Sequence, residues 1–216
     1  MPHERTILIG GGGFARELLV WASDCLEAGT LPAVSGYLDD AGDGLAKLGY
    51  DLPWLGTTDD YVPRNGDQFV LAIGSPRRKR TVHEKMKARG ATSFPRLLHP
   101  TARIAPTARI EEGAILLLMA VAGPETRIGR FVTLNGGSGV GHDGTVGDYT
   151  TISSHVDVTG GAVVGQDVLI GSKALLMPRV RIGDGAVVGA GCTVYRSVPP
   201  GATIYAPPSK LLKTNR

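Results

Sequence analysis

Three short stretches of this 216-residue chain carry groups suited to chemistry. The first is Gly141-His142-Asp143. Imidazole titrates near neutrality, so an outward-facing His142 can take the proton of an amine or hydroxyl nucleophile as a general base. Asp143 can accept from the second ring nitrogen and fix the tautomer. Adjacent residues on a strand face opposite ways, so this pairing requires a corner between them, which Gly141 and Gly144 permit. A plain exposed histidine is the alternative. The second stretch is Gly10-Gly11-Gly12-Gly13, set between the apolar run Thr6 to Ile9 and the helical pattern Phe14 to Trp21. Glycines let the backbone approach an anion, and a helix N-terminus offers unpaired N–H groups. Gly10, Gly12 and Ala15 satisfy G-x-G-x-x-A, although a tight β–α turn with no ligand reads the same way. The third is Asp39-Asp40, just past the apolar run Val34 to Leu38. A carboxylate there can accept from N1–H and N2–H of guanine or N3–H of uracil. The bland reading is a turn-initiating pair before Ala41-Gly42-Asp43-Gly44.

The elements that must position these groups fall into two kinds. From Leu98 to Val194 every sixth residue is Ile, Leu or Val in sixteen of seventeen cases, Ala122 being the exception. After Arg96, the position two before each aliphatic is neither charged nor large in all sixteen remaining cases, and the position after is Gly in eight of the seventeen. Such a period matches neither a helix at about 3.6 nor a strand at about 2.0. It predicts a hexapeptide parallel β-helix, in which the aliphatic side chain fills a triangular prism and each coil buries its faces only against its neighbours. The seventeen repeats make between five and six coils. In this register Cys192 points inward, whereas His142, His155, Leu117, Leu118, Met119 and Val121 point outward. An apolar outward group of that size calls for a cover, either a second subunit or the N-terminal part of the chain.

That N-terminal part reads as a small Rossmann-like α/β unit over 1–97, ahead of the β-helix and tail over 98–216. A short helix is expected around Asp59-Asp60-Tyr61, and a third strand over Gln68 to Ile73. Gly74-Ser75-Pro76 and a basic helix from Arg77 to Arg89 follow, then a last strand from Phe94 to Leu98. Gly74 and Ser75 then lie beside the first glycine turn. Arg77-Arg78-Lys79-Arg80 could assist a pyrophosphate, but a solvated helix face is the preferred reading. The unit has room for one nucleotide and is short of a two-half dinucleotide domain, which argues against an NAD-dependent enzyme. His99 marks the junction, and His83 and His3 carry no signal.

Composition narrows the partners. A net charge of +3, dispersed along the chain, argues against nucleic acid. Two distant cysteines make no disulfide framework, and no Cys/His spacing suits a metal. The longest apolar run, Ala114 to Gly123, is too short to span a membrane, and the start lacks a signal-peptide pattern, so a cytoplasmic protein is expected.

The order of GGGGFARE, Gly36-Tyr37-Leu38-Asp39-Asp40, Ala72-Ile73-Gly74, Leu98-His99-Pro100, the hexapeptides, Gly141-His142-Asp143 and Ala206-Pro207-Pro208-Ser209-Lys210 resembles one group across nearly the whole chain. These are the hexapeptide-repeat nucleotide-sugar N-acetyltransferases and their sialic acid O-acetyltransferase relatives. Perosamine N-acetyltransferases are the nearest in pattern. The resemblance implies a left-handed coil, homotrimers, and acetyl-CoA as co-substrate without a metal. The implied acceptor is the C4 amine of a nucleotide-linked 4-amino-4,6-dideoxy sugar such as GDP-perosamine, in bacterial glycan synthesis of the lipopolysaccharide O-antigen kind. It assigns Gly12, Gly13, Asp39, Asp40, Gly74 and Ser75 to the nucleotide, and His142 and Asp143 to catalysis. It places Gly160, Gly161, Ser172 and Lys210 near the CoA. Pro208-Ser209-Lys210 departs from the usual Pro-Ala-Lys ending. Sugar O-acetylation and a trimeric scaffold without catalysis are the alternatives.

Overall fold

The computed structural model describes residues 5–207. Its N-terminal sheet has three parallel strands, β1 (Arg5–Ile9), β2 (Val34–Leu38) and β3 (Asp67–Leu71), in the order β2-β1-β3. Ile7, Leu8 and Ile9 are all buried, as a central strand covered on both faces requires. Leu8 packs with Ala15 and Leu18 of α1 (Gly13–Glu27), whereas Ile7 and Ile9 pack with Val82 and Met86 of α2 (Pro76–Ala88). Side chains alternate along a strand, so the two helices cover opposite faces. The Rossmann-like expectation therefore reduces to a three-stranded sheet with one helix on each side. Thr58 to Asp60 form a turn rather than the expected short helix, because the Asp60 carboxylate accepts from the Thr57 hydroxyl and closes the chain locally.

The remainder is a parallel β-solenoid of about six turns, built from eighteen two-residue strands on three faces. The first face begins at Leu97–Leu98 and has seven strands; the second begins at Arg103–Ile104 and has six; the third begins at Arg109–Ile110 and has five. Leu97–Leu98 pairs with Ile115–Leu116, so only the end of the expected Phe94 to Leu98 strand forms, and it opens the solenoid. Thr133 lies opposite Thr151 and Ile115, one coil being three hexapeptides. The aliphatic positions from Leu116 to Val194 fill the prism, and Cys192 is buried among them. Corners fall at the second and third residues after each aliphatic, and from Gly113 to Gly191 the third adopts left-handed φ. Nine such residues are not glycine, with φ from 55° to 63°, among them Asp143 and His155.

The N-terminal sheet and helices cover the first face. Leu97, Ile115 and Leu117 are buried against Leu18, Ala22 and Cys25 of α1. At the same edge His99 Nε2 meets Asp24 at 2.8 Å, and its ring meets Trp21 edge-on. The expected apolar group is thus divided: Leu117 is covered from within the chain, but Met119 and Val121 stay exposed at 67% and 42%.

α2 lies on the corner between the third and first faces. His83 is buried between Phe94 and Phe131, and with its ring neutral Nδ1 accepts from the Tyr149 hydroxyl at 2.8 Å. His83 is therefore a docking residue, a role no local motif marks. Burial, then the charges of Lys87, Arg130 and Arg80, push its pKa down to about 4 from 6.5. Because the folded value lies below the unfolded one, the unfolded chain binds the proton first. The stability contribution is complete above pH 6.5 and is lost as pH falls towards 4. We expect the urea midpoint to decline across that window, and His83→Phe to flatten the decline while lowering the midpoint at neutral pH through the stranded Tyr149 hydroxyl.

Candidate functional site

The strand order β2-β1-β3 puts a topological switch point at the carboxyl ends of β1 and β3, where open α/β sheets bind ligands. A cleft of about 370 Å³ lies there, lined by Gly12, Gly13, Asp39, Asp40, Gly74 and Ser75, together with Thr58 and Arg78. Both helices begin at this cleft. Their N-caps, Gly12 and Ser75, make no side-chain cap, and neither first turn holds an acidic residue. Two uncapped N-termini and one guanidinium make the cleft suited to a phosphate or pyrophosphate.

Gly10 is required where β1 and β3 end side by side. Its φ is +111°, and a Cβ would lie 2.8 Å from the Ala72 carbonyl oxygen. Asp39 holds the turn that follows. One carboxylate oxygen accepts from the Gly11 N–H at 2.5 Å and the other from the Ala41 N–H at 2.8 Å. Asp40 accepts from the Thr58 N–H and hydroxyl at 2.7 and 2.8 Å. Burial alone would raise the Asp40 carboxyl, but these bonds and the charges of Lys85 and Arg78 bring it below its ordinary value. Both carboxylates thus shape the cleft with part of their accepting capacity and keep the rest. Asp39→Ala should cost about 1.5–3 kcal/mol of stability, as expected for hydrogen bonds to a charged acceptor, and weaken the binding of pyrophosphate in the cleft. Denaturant unfolding paired with calorimetry checks both effects.

Arg77 to Arg80 do not form the expected solvated helix face. Arg78 lines the cleft, Lys79 is buried, and Arg80 clasps Asp167 with contacts of 2.7 to 3.0 Å. In an i, i+3, i+4 array each successive residue meets a different neighbour, so a run of like charges need not share one environment.

On the solenoid, His142 and Asp143 are the two residues of one corner between the second and third faces. Asp143 takes left-handed φ of 58°, a region Asp tolerates better than most residues, and this turns both side chains to the same side. Its carboxylate meets His142 Nδ1 at 2.8 Å, leaving Nε2 directed away from it. The imidazole lies over Gly160, the corner residue one coil on. A Cβ there would overlap Nε2 and would come 2.6 Å from Cε1.

His142 stands between two hollows. One, of about 650 Å³, runs along the second face past Val121, Gly139, His155 and Asp157. The other, of about 540 Å³, holds Asp143, Gly160, Gly161, Pro178 and Arg179. A third, of about 570 Å³, shares Gly137 and His155 with the first and reaches Glu17 and Trp21 of α1. Glu17 follows Gly13 of the glycine cleft by one helical turn, so one face of α1 leads from the cleft to the histidine groove.

Gly160 and Gly161 therefore sit beside His142, whereas Ser172 lies on the opposite corner, one coil on from Ser154 and His155 along the other edge of the second face. Lys210 and His3 lie outside the described residues. Thr58, which tethers Asp40, has no sequence signal. Asn135 follows the aliphatic phase where glycine is common, and its buried Oδ1 has no hydrogen-bond partner. Among the described residues no group of three or more His, Cys, Asp or Glu could hold a metal, and no helix is long and apolar enough to cross a membrane.

The profile of the bacterial transferase hexapeptide family, six repeats, matches residues 161–196. No curated protein matches the chain. Among solved structures, the acetyltransferase domain of PglB from Neisseria gonorrhoeae FA1090 in complex with acetyl coenzyme A is 27% identical with a TM-score of 0.84. That alignment covers 97% of this chain and all of the other. PerB from Caulobacter crescentus, in complex with CoA and GDP-perosamine, is 27% identical with a TM-score of 0.82, over 96% of this chain and 97% of that one. WeeI from Acinetobacter baumannii AYE shares the fold at 24% identity and a TM-score of 0.82, over 97% and 100% of the two chains.

Proposed function

We propose that this chain, an acyltransferase of the hexapeptide-repeat class, moves the acetyl group of acetyl-CoA to the C4 amine of a nucleotide-linked 4-amino-4,6-dideoxy sugar, GDP-perosamine being the first choice. The observation that carries the reading is the His142–Asp143 corner. It presents a tautomer-fixed imidazole to a groove that leads along α1 to a phosphate-suited cleft. Whole-length likeness to PglB with acetyl coenzyme A, and to PerB with CoA and GDP-perosamine, supports the same pairing of substrates.

In this reading the nucleotide diphosphate occupies the cleft at Gly12, Gly13, Gly74 and Ser75, with Arg78 beside it and Asp39 and Asp40 towards the base. CoA runs past Gly160 and Gly161. The sugar nitrogen attacks the thioester carbonyl carbon; the C–N bond forms as the C–S bond breaks. His142 Nε2 takes the proton that the nitrogen sheds and passes it to the departing thiolate, so that CoA leaves as the thiol. No acyl-enzyme is needed, since neither cysteine lines the groove. The coil is left-handed in this reading. Three copies form the working unit, which gives Met119 and Val121 a cover, and the enzyme works in the cytoplasm on a precursor of surface glycan.

The test is thiol release from acetyl-CoA with matched GDP- and UDP-linked 4-amino-4,6-dideoxyhexoses and their 4-hydroxy counterparts. Turnover with GDP-perosamine alone supports the reading in full. Turnover with only a UDP sugar keeps the chemistry and replaces the substrate. Release with hydroxy sugars alone overturns N-acetylation.

A further inference from the structure

Lys79 is 1% exposed, yet no carboxylate touches its ammonium. Its three protons go to the Phe131 carbonyl at 2.9 Å, the Thr133 hydroxyl at 2.9 Å and the Thr151 hydroxyl at 3.0 Å. All three donors are used, and all three acceptors belong to the solenoid. Burial pushes the group down to about 7 against the opposing pull of Asp167, so the site is costly for a cation and demands a reason.

The reason lies in how α2 meets the solenoid. Arg77 lies near Gly185, Arg80 grips Asp167, and His83 meets Tyr149, so each step of three helix residues moves one coil back along the prism. Three residues of helix rise about 4.5 Å, and coils stack about 4.8 Å apart. The two repeats nearly match, so a shift of the helix by one coil would keep the same spacing. Generic packing therefore leaves the register of α2 weakly specified. The outward positions of the first face resolve it: they read Leu97, Ile115, Thr133, Thr151, Leu169, Val187 and Thr203. Stacked hydroxyls occur only at Thr133 and Thr151, with Ile115 and Leu169 on either side; Thr203 stands alone beyond Val187. Shifted by one coil, the ammonium would lie between Ile115 and Thr133 or between Thr151 and Leu169, and one of its two hydroxyl partners would be replaced by an aliphatic side chain.

We infer that Lys79 is a positioning residue: its tripod on Phe131, Thr133 and Thr151 sets the height of α2 along the solenoid, and so the height of Ser75, Arg78 and the glycine cleft relative to His142. A single buried polar residue that fixes register is a known use of such costly groups. The inference rests on the proposed acetyl transfer for its kinetic consequence, though not for the docking itself.

Three variants test it: Lys79→Met, the triple variant K79M/T133V/T151V, and Lys79→Arg. In Lys79→Met we expect the KM for the nucleotide sugar to rise about tenfold or more while the KM for acetyl-CoA, whose groove lies on the solenoid, stays within about twofold. Amide exchange over 76–88 should quicken. The triple variant removes the stranded hydroxyls, so its Tm should recover towards that of the unaltered chain while the raised KM persists. Lys79→Arg, which keeps the charge and donors, should recover part of the KM. If Lys79→Met loses Tm but keeps both KM values and the exchange pattern, or if the triple variant restores the KM, the residue only satisfies local packing and the inference fails. Exchange needs no turnover. Absence of thiol release by the unaltered chain, which sinks the acetylation reading, is therefore distinct from unchanged exchange, which sinks this one.

Discussion

Replacing His142 with Ala should lower kcat by about 10²–10⁴-fold, the usual worth of a positioned general base, with both KM values changed little. The expectation follows from the corner. Asp143 engages Nδ1 at 2.8 Å, so Nε2 is the nitrogen that meets a substrate proton, and no second group on this corner duplicates it. His155 lines the same groove from the opposite corner, across the second face. Folding should be unaffected, because the His142 side chain is 70% exposed. The pH–rate profile of the variant carries the sharper information. If His142 accepts the proton, the limb of the profile belonging to an imidazole disappears with it. If the sugar amine binds already deprotonated, the loss stays below about tenfold and the limb survives, which reduces His142 to a positioning role.

Gly160→Ala should cost about 10²-fold in kcat without a measurable change in Tm. Gly160 has no left-handed φ to preserve, so alanine meets no backbone penalty there. What alanine meets is the imidazole of His142, whose Nε2, Cε1 and Cδ2 would all be crowded by its Cβ. An exposed ring can swing aside cheaply, which spares the fold, but displacement of a reacting group by about 1 Å is enough for a loss of this size. The double variant H142A/G160A should then be no slower than H142A, since both changes act on one group. Full activity in Gly160→Ala would show that the ring works from a different place than the one it occupies here.

Most of the solenoid can be read from its repeat. Its repeat is strictly local: each aliphatic contributes one inward side chain, the residue two before it leaves room for the next, and stacking depends only on the coil above and below. The direction of every side chain between Leu98 and Val194 therefore follows from phase, and with it the outward placement of His142 and the inward placement of Cys192. The glycine turn, Asp39-Asp40 and Gly74-Ser75 were legible for a similar reason. Each follows a strand within three residues, and parallel strands bring their carboxyl ends to one edge.

How the two kinds of element meet depends on contacts between residues far apart in the chain. α2 carries Arg77-Arg78-Lys79-Arg80, whose charge pattern is that of a solvated face. Its neighbours are Thr133, Tyr149 and Asp167, at least 52 residues distant, and nothing local distinguishes a lysine in water from one held by two stacked threonines. His83 lacked a signal because its aromatic partners Phe131 and Tyr149 occupy corner positions, where the hexapeptide rule restricts size least. The split of the apolar group, with Leu117 covered and Met119 exposed, depends on where α1 ends its contact. The tether of Asp40 to Thr58 depends on a turn with no repeat to announce it. Periodicity fixes a side chain's direction; its partners are fixed by long-range docking, in which a charge or ring is buried only after two separately formed surfaces have come together.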